Sequence, residues 1–158
     1  MDKILISEAI DALELLDVYL YSTSISRFQD ITSDSFPKEM KQQNKLSISA
    51  EFLEAENDKD EQRVINAKVV LGYRYIVEEE EGEKVLSELE ACFIAKYHQS
   101  KQICEEAIEE FMKYNVIHNV WPFWREHAFR LSTEANLPKP IISLFKQQST
   151  QKQCLKNV

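Results

Sequence analysis

The octet Asn119-Val120-Trp121-Pro122-Phe123-Trp124-Arg125-Glu126 builds an aromatic cluster around one proline and closes it with a charge pair. It follows segments with strand periodicity and opens the last long helical segment. Trp121, Phe123, Trp124 and Phe129 lie so close together that a helix cannot point all of them at one sheet. Periodicity alone leaves two readings open. One is a broad core face combined with an oligomer contact. The other is an exposed apolar groove for extended peptide, because apolar patches on soluble proteins often mark binding sites. Pro122 predicts the first turn of this helix, where its missing N–H costs nothing. Asn136-Leu137-Pro138-Lys139-Pro140 stops the helix near Ala135.

Immediately upstream, Cys104, Ala107, Ile108, Phe111 and Met112 recur at three- and four-residue steps, with Glu105, Glu106, Glu109 and Glu110 on the wet side. Asn115 to Asn119 reads as either a break or a continuation. Further upstream the period falls to two. In residues 45 to 53, Leu46, Ile48, Ala50 and Phe52 alternate with Ser47, Ser49 and Glu51, which describes a half-buried strand. The polar stretch from Glu54 to Gln62 reads as a turn. Arg63 to Glu78 is a longer strand with Ile65, Ala67, Val69, Leu71, Tyr73, Tyr75 and Val77 on one face. Glu79 to Glu83 reverses the chain, and Gly82 can take positive φ there. Lys84 to His98 buries Val85, Leu89, Ala91, Phe93 and Tyr97 and turns Leu86, Glu88, Glu90 and Lys96 the other way. A first strand, about Leu16 to Phe28, is rich in Tyr, Ser, Thr and Ile. The loop Gln29 to Asn44 joins it to the second.

Four sequential strands with short links, then helices, predict an antiparallel meander with its helices on one side, an α+β domain. The 158 residues suit one domain with a real core, expected over 1-145, followed by a polar tail over 146-158. Two glycines and four prolines argue against a loop-dominated chain. A net charge of -8 spread along the chain, with no basic stripe, argues against nucleic-acid binding. The N-terminus is too short and acidic for a secretory signal, and no apolar run approaches a membrane span. Cys92, Cys104 and Cys154 form no C-x-x-C pair, which points to a reduced, cytoplasmic compartment.

Chemistry is hard to find. His98, His118 and His127 share no metal-ligand spacing with one another or with a cysteine. His127 is read as packed or ion-paired, and Cys104 as a core residue, since Glu105 and Glu106 oppose a thiolate. Gly72 and Gly82 cannot build a phosphate cradle. The paired carboxylates read as solvated turn and helix faces. The expectation is a protein that is not an enzyme and needs no cofactor or metal.

The octet resembles the Asn-x-x-(Phe/Trp)-Pro-(Tyr/Phe)-x-Arg motif of the bacterial export chaperone SecB and SecB-like proteins, through Asn119, Trp121, Pro122, Phe123, Arg125 and Glu126. The order of parts is similar too. Lys45-Leu46-Ser47-Ile48 looks like the family's second-strand Lys-Leu-x-Leu pattern, and Val85-Leu86-Ser87-Glu88-Leu89 like its Phe-Leu-x-Glu-Val segment. Leu137-Pro138 and Ser143-Leu144-Phe145 look like a contracted form of the family's closing segments.

This resemblance implies a SecB-like fold assembled as a homotetramer, a dimer of dimers. It implies an ATP-independent holdase that grips unfolded preproteins for export. The alternative is a module dedicated to one partner, such as the antitoxin of a toxin–antitoxin pair. The implied peptide groove comprises Leu46, Ile48, Trp121, Phe123, Trp124, Leu144 and Phe145. Leu86 and Glu88 match positions on the face that docks the translocase motor SecA. Three departures stand out: Ser22, Thr23, Ser24 and Ser26 where the family's first strand carries acids, a tail without acids, and a shortened terminal helix.

Overall fold

A computed structural model describes residues 2–54 and 63–144. The chain opens with α1 (Lys3–Ala12), a helix that the strand-dominated sequence reading did not anticipate. Asp2 caps it, its carboxylate accepting from the backbone N–H of Ile4 at 2.9 Å and of Leu5 at 3.3 Å. Ile6, Ala9 and Ala12 form its buried stripe. With so few large apolar residues, its helical period is weak in the sequence. The backbone then turns directly into β1 (Leu13–Arg27).

β2 (Lys41–Glu54), β3 (Arg63–Glu79) and β4 (Gly82–Gln99) complete one antiparallel sheet. Its strand order is β1-β4-β3-β2. The strands β2, β3 and β4 form the expected meander, but β1 lies beside β4 and not beside β2. The connection between β1 and β2 is long enough to cross the end of the sheet, so the arrangement is a Greek key. β2 also begins earlier than its alternation suggested, taking in Lys41 to Asn44. In the β3–β4 hairpin Glu79 pairs with Gly82, whose φ of 123° suits glycine alone. The hairpin expected between β2 and β3 lies largely outside the described residues, as do the tail and Phe145.

Bulges decide which residues share a face. In β1 the pairing with β4 shifts at Leu16 and again at Tyr21. Leu15, Val18, Leu20, Thr23 and Ile25 are thereby kept on one side, although strict alternation would scatter them. In β4, Leu86 is the extra residue between Ser87, paired with Tyr75, and Val85, paired with Ile76. The irregularity turns Leu86 into the core, where it is 3% exposed. Its carbonyl accepts from Phe28 N–H at 2.9 Å and Gln29 N–H at 3.2 Å. This corrects the expectation that Leu86 shares the outer face with Glu88.

The helices cover one face of the sheet. α2 (Glu105–Phe111), a π-helical turn over Met112–Val116 and α3 (Ile117–Glu134) form one continuous rod. Of the two readings of Asn115 to Asn119, the continuation holds, with a widened turn that ends at Val116, and Pro122 sits inside α3, not in its first turn. Its ring is on the exposed side, where water can satisfy the carbonyl one turn back. Cys104 is also corrected: it caps α2 from the surface and is not in the core. Tyr97 stacks edge-on against Phe111 at 5.1 Å, Phe93 against His127 at 5.8 Å, and Tyr73 packs on Trp124 at 6.3 Å. Ala67, Val69, Leu89, Val116 and Val120 fill the centre, each fully buried.

α3 ends in a Schellman motif. Asn136 takes φ 50°, Leu137 N–H reaches Ser132 O at 2.9 Å and Asn136 N–H reaches Thr133 O at 3.1 Å. From there the chain folds back along α3.

Candidate peptide-binding groove

α3 lies over the two central strands, so the edge strands leave apolar residues uncovered on the helix side. On β2 the register places Leu46, Ile48, Ala50 and Phe52 opposite Leu71, Val69, Ala67 and Ile65. The β3 residues are buried, yet Leu46 is 42% and Phe52 45% exposed. Ile48 is half-buried. On the other edge, Leu15, Leu20 and Ile25 of β1 form a second exposed row. A strand's helix-facing side is thus covered only where the rod reaches it.

The octet residues distribute themselves around α3. Asn119 donates from Nδ2 to Tyr97 OH at 2.9 Å and ties the helix to β4. Burial pushes the Tyr97 phenol up to about 12, although the Asn119 bond opposes this. Trp124 points straight into the sheet and is 3% exposed. Trp121 and Arg125, one turn apart, face the β2 side. Phe123 precedes His127 by one turn and lies on the β1 flank, where His127 meets Thr23 at 2.9 Å. Phe123 is 47% exposed.

The expected groove residues therefore fall into separate groups. Leu46, Ile48 and Trp121 share the β2 flank, with Leu144 at the end of the returning segment. Trp124 lies beneath them in the core, and Phe123 lies across the helix.

Residues 137–144 close the β2 flank. Pro138, Pro140 and Ile142 are buried while Lys139, Ile141 and Ser143 are exposed, the period of an extended strand. Tyr75 OH donates to Pro138 O at 3.0 Å. The Gln42 side-chain amide grips Ile141 twice, donating to its carbonyl at 3.0 Å and accepting from its N–H at 2.8 Å. Arg125 Nε donates to Ile142 O at 3.0 Å and Trp121 Nε1 to Ser143 O at 2.9 Å. Phe129 is held between two cations, with Arg125 at 5.3 Å and Lys139 at 4.9 Å from its ring centre. Sequence reading missed Gln42, Tyr75 and Arg125 in this role. The proline alternation at Pro138 and Pro140 was the available signal, because it forces extended backbone.

On the opposite face of the sheet, Glu88 is half-buried beside Glu90, Arg74 and Lys45 in a shallow polar depression. Lys45 pairs with Glu90 across Gly72. Ser22, Ser24 and Ser26 of β1 stand on that same face, opposite Cys92, Glu90 and Glu88.

His127 is buried against Phe93 and bonded to Thr23, whose hydroxyl donates to Glu90 O at 3.0 Å. Nε2 of the imidazole therefore carries the proton, and Nδ1 faces Arg130 Nη2 at 3.4 Å. Burial, then the Arg130 charge, lowers its pKa below the ordinary 6.5. Among the described residues, no group of three His, Cys, Asp or Glu side chains could hold a metal ion. No described helix is long and apolar enough to cross a membrane.

The fold, a four-stranded antiparallel sheet carrying a C-terminal helix on one face, is that of a SecB-like chaperone. It matches the SecB-like chaperone Rv1957 of Mycobacterium tuberculosis, solved in complex with a ChAD peptide from the HigA1 antitoxin. The match has a TM-score of 0.70 and 11% identity, over 93% of this chain and all of that one. No protein-family model matches the sequence, and no curated protein matches it.

Proposed function

We propose that this chain is an ATP-independent polypeptide-binding module dedicated to one partner, an extended segment such as that of an antitoxin. The observation that carries this reading is the partly exposed apolar row Leu46, Ile48 and Phe52 of β2, running beside the Trp121 flank of α3. Such a row offers side-chain sites at strand spacing to an extended segment. The fold's likeness to a chaperone solved with an antitoxin peptide supports the same reading.

The outer face supports it too. Its serines and its Lys45–Glu90 pair leave little net negative charge around Glu88 with which to attract a translocase motor. The chain is taken to act in the cytoplasm without cofactor.

A general holdase for unfolded preproteins, delivering them to SecA, is the second reading. Its support is the double-sided exposure of β1, where Leu15, Leu20 and Ile25 lie on one face and Tyr19 on the other. Exposed apolar surface of this extent suits assembly into the proposed homotetramer or adaptable client contact.

Two measurements separate the readings. A dedicated module pulls down a single stoichiometric partner and leaves aggregation of a denatured client unchanged without ATP. A holdase suppresses that aggregation at stoichiometric excess. Failure of both removes the polypeptide-binding reading altogether.

A further inference from the structure

Each polar contact that Gln42, Tyr75, Arg125 and Trp121 make to residues 138–143 goes to main-chain atoms. Carbonyls of three successive residues, Ile141, Ile142 and Ser143, each receive a side-chain donor. Gln42 exchanges two bonds with Ile141, as neighbouring residues do in a hydrogen-bonded antiparallel pair. The lining is thus a substitute β-edge made of side chains, and it is indifferent to the sequence of what it holds. Beyond Pro140, Ile142 is the one described residue of the segment that is buried. Ile141 and Leu144 expose their apolar side chains to solvent instead.

The direction of this segment matters. It runs antiparallel to α3, from Gln42 toward Trp121, and so points along β2 toward the open row at Leu46, Ile48 and Phe52. The polar lining and the apolar row are consecutive parts of one corridor.

Resting on the polypeptide-binding reading above, we infer that this corridor reads the main chain of an extended polypeptide, and that residues 141–144 occupy it as a built-in surrogate which the partner displaces. Vacating the corridor would exchange the main-chain acceptors of Gln42, Arg125 and Trp121 for water, and another main chain would restore them. Specificity then resides in the apolar positions, and the main-chain bonds supply affinity. Leu137 and Pro138 remain as the hinge, fixed by Ser132 O and by Tyr75.

The test uses the full chain and an end-capped peptide of about 15 residues with alternating leucine and serine, read by fluorescence anisotropy and amide hydrogen exchange. Saturating peptide is expected to speed exchange of the Ile141 amide at least about tenfold while α3 amides stay unchanged. Ile142→Ser loosens the surrogate without altering the lining, so apparent affinity is expected to tighten about fivefold. Trp121→Phe removes one bond from surrogate and peptide alike, so affinity stays within about twofold.

Bound peptide that leaves Ile141 exchange unchanged or slower overturns the inference, because the segment would then be a fixed wall of the groove. Weaker binding by Ile142→Ser overturns it in the same way. The exchange measurement on the unmodified chain decides the matter if that variant fails to fold. Absence of binding by both chains at about 100 μM also overturns the inference, because a corridor that reads main chain must accept such a peptide, whereas the dedicated-partner reading falls only with the pull-down and aggregation assays above.

Discussion

Trp121 Nε1 donates to the carbonyl oxygen of Ser143 at 2.9 Å, so an aromatic residue of the octet is held by the chain's own returning segment. Trp121→Phe keeps an aromatic ring, though a smaller one, and deletes the donor. A loss of about 1 kcal/mol is expected, the worth of one hydrogen bond. Urea unfolding followed by circular dichroism measures it, and an unchanged midpoint would contradict the contact.

The two tryptophans differ in exposure and should differ in behaviour. Trp124→Ala empties a core site against Tyr73 and is expected to cost about 3–5 kcal/mol. Leu86→Ala should likewise cost about 2–5 kcal/mol, since the β4 irregularity buries it. A Leu86 variant therefore cannot serve as a probe of docking at the outer face, whereas Glu88→Gln can. Equal, negligible effects at Trp124 and Leu86 would refute their placement in the core.

Leu46→Asp and Phe52→Asp test the open row. Both side chains are large, apolar and only partly exposed, so each substitution is expected to cost about 1–2 kcal/mol while leaving the chain folded. Partner or client binding is expected to weaken at least about fivefold, because a charge is placed in a site for apolar side chains. Isothermal titration beside thermal unfolding separates the two effects. Retained affinity would move the site elsewhere.

His127 should make the fold acid-sensitive. Its folded-state pKa lies below the ordinary 6.5, for reasons of burial first and Arg130 second, with Glu126 and Glu134 partly opposing. The unfolded chain then binds more protons below that value, so stability rises with pH through this window. The contribution is complete above about pH 6.5 and is lost as pH falls toward the folded pKa. Unfolding midpoints between about pH 5 and 8 should fall on acidification, and His127→Gln should flatten the slope in that range. A variant with the wild-type slope would exclude His127 as the source.

Gly72 sits between Lys45 and Glu90 in the middle of the sheet. A Cβ there would approach Leu89 O to 3.0 Å, and that oxygen belongs to the backbone of a central strand. Gly72→Ala is expected to destabilise by about 1–3 kcal/mol, an overpacking cost. A lower urea midpoint with unchanged slope would show it. A neutral result would mean that β4 yields locally.

Local chemistry made several features legible in the sequence. Alternation at Leu46, Ile48 and Ala50 placed β2, the glutamate run with Gly82 placed the hairpin, and Asn136 with two prolines ended α3. These are short-range effects of sterics and burial, and they act within a few residues. Features that depend on distant partners were not legible. The turn of Leu86 into the core needs the slip against Tyr75, and α1 is stabilised by packing on α2 more than by its own pattern. Cys104 looked like a core residue because its spacing continued that of Ala107 and Ile108, but the helix begins just after it.

By itself, the sequence determined the α+β class, the four strands and the aromatic helix, because periodicity and turn chemistry are local properties of a chain. Only the tertiary structure decided that β1 pairs with β4 and that α3 leaves both sheet edges uncovered. It also decided that Trp121 and Phe123, two residues apart, serve opposite flanks. The octet's placement of rings around a helix was written in the sequence, but what each ring meets was not. That depends on where the sheet and the returning segment 137–144 lie, and both are brought there by contacts between residues far apart in the chain.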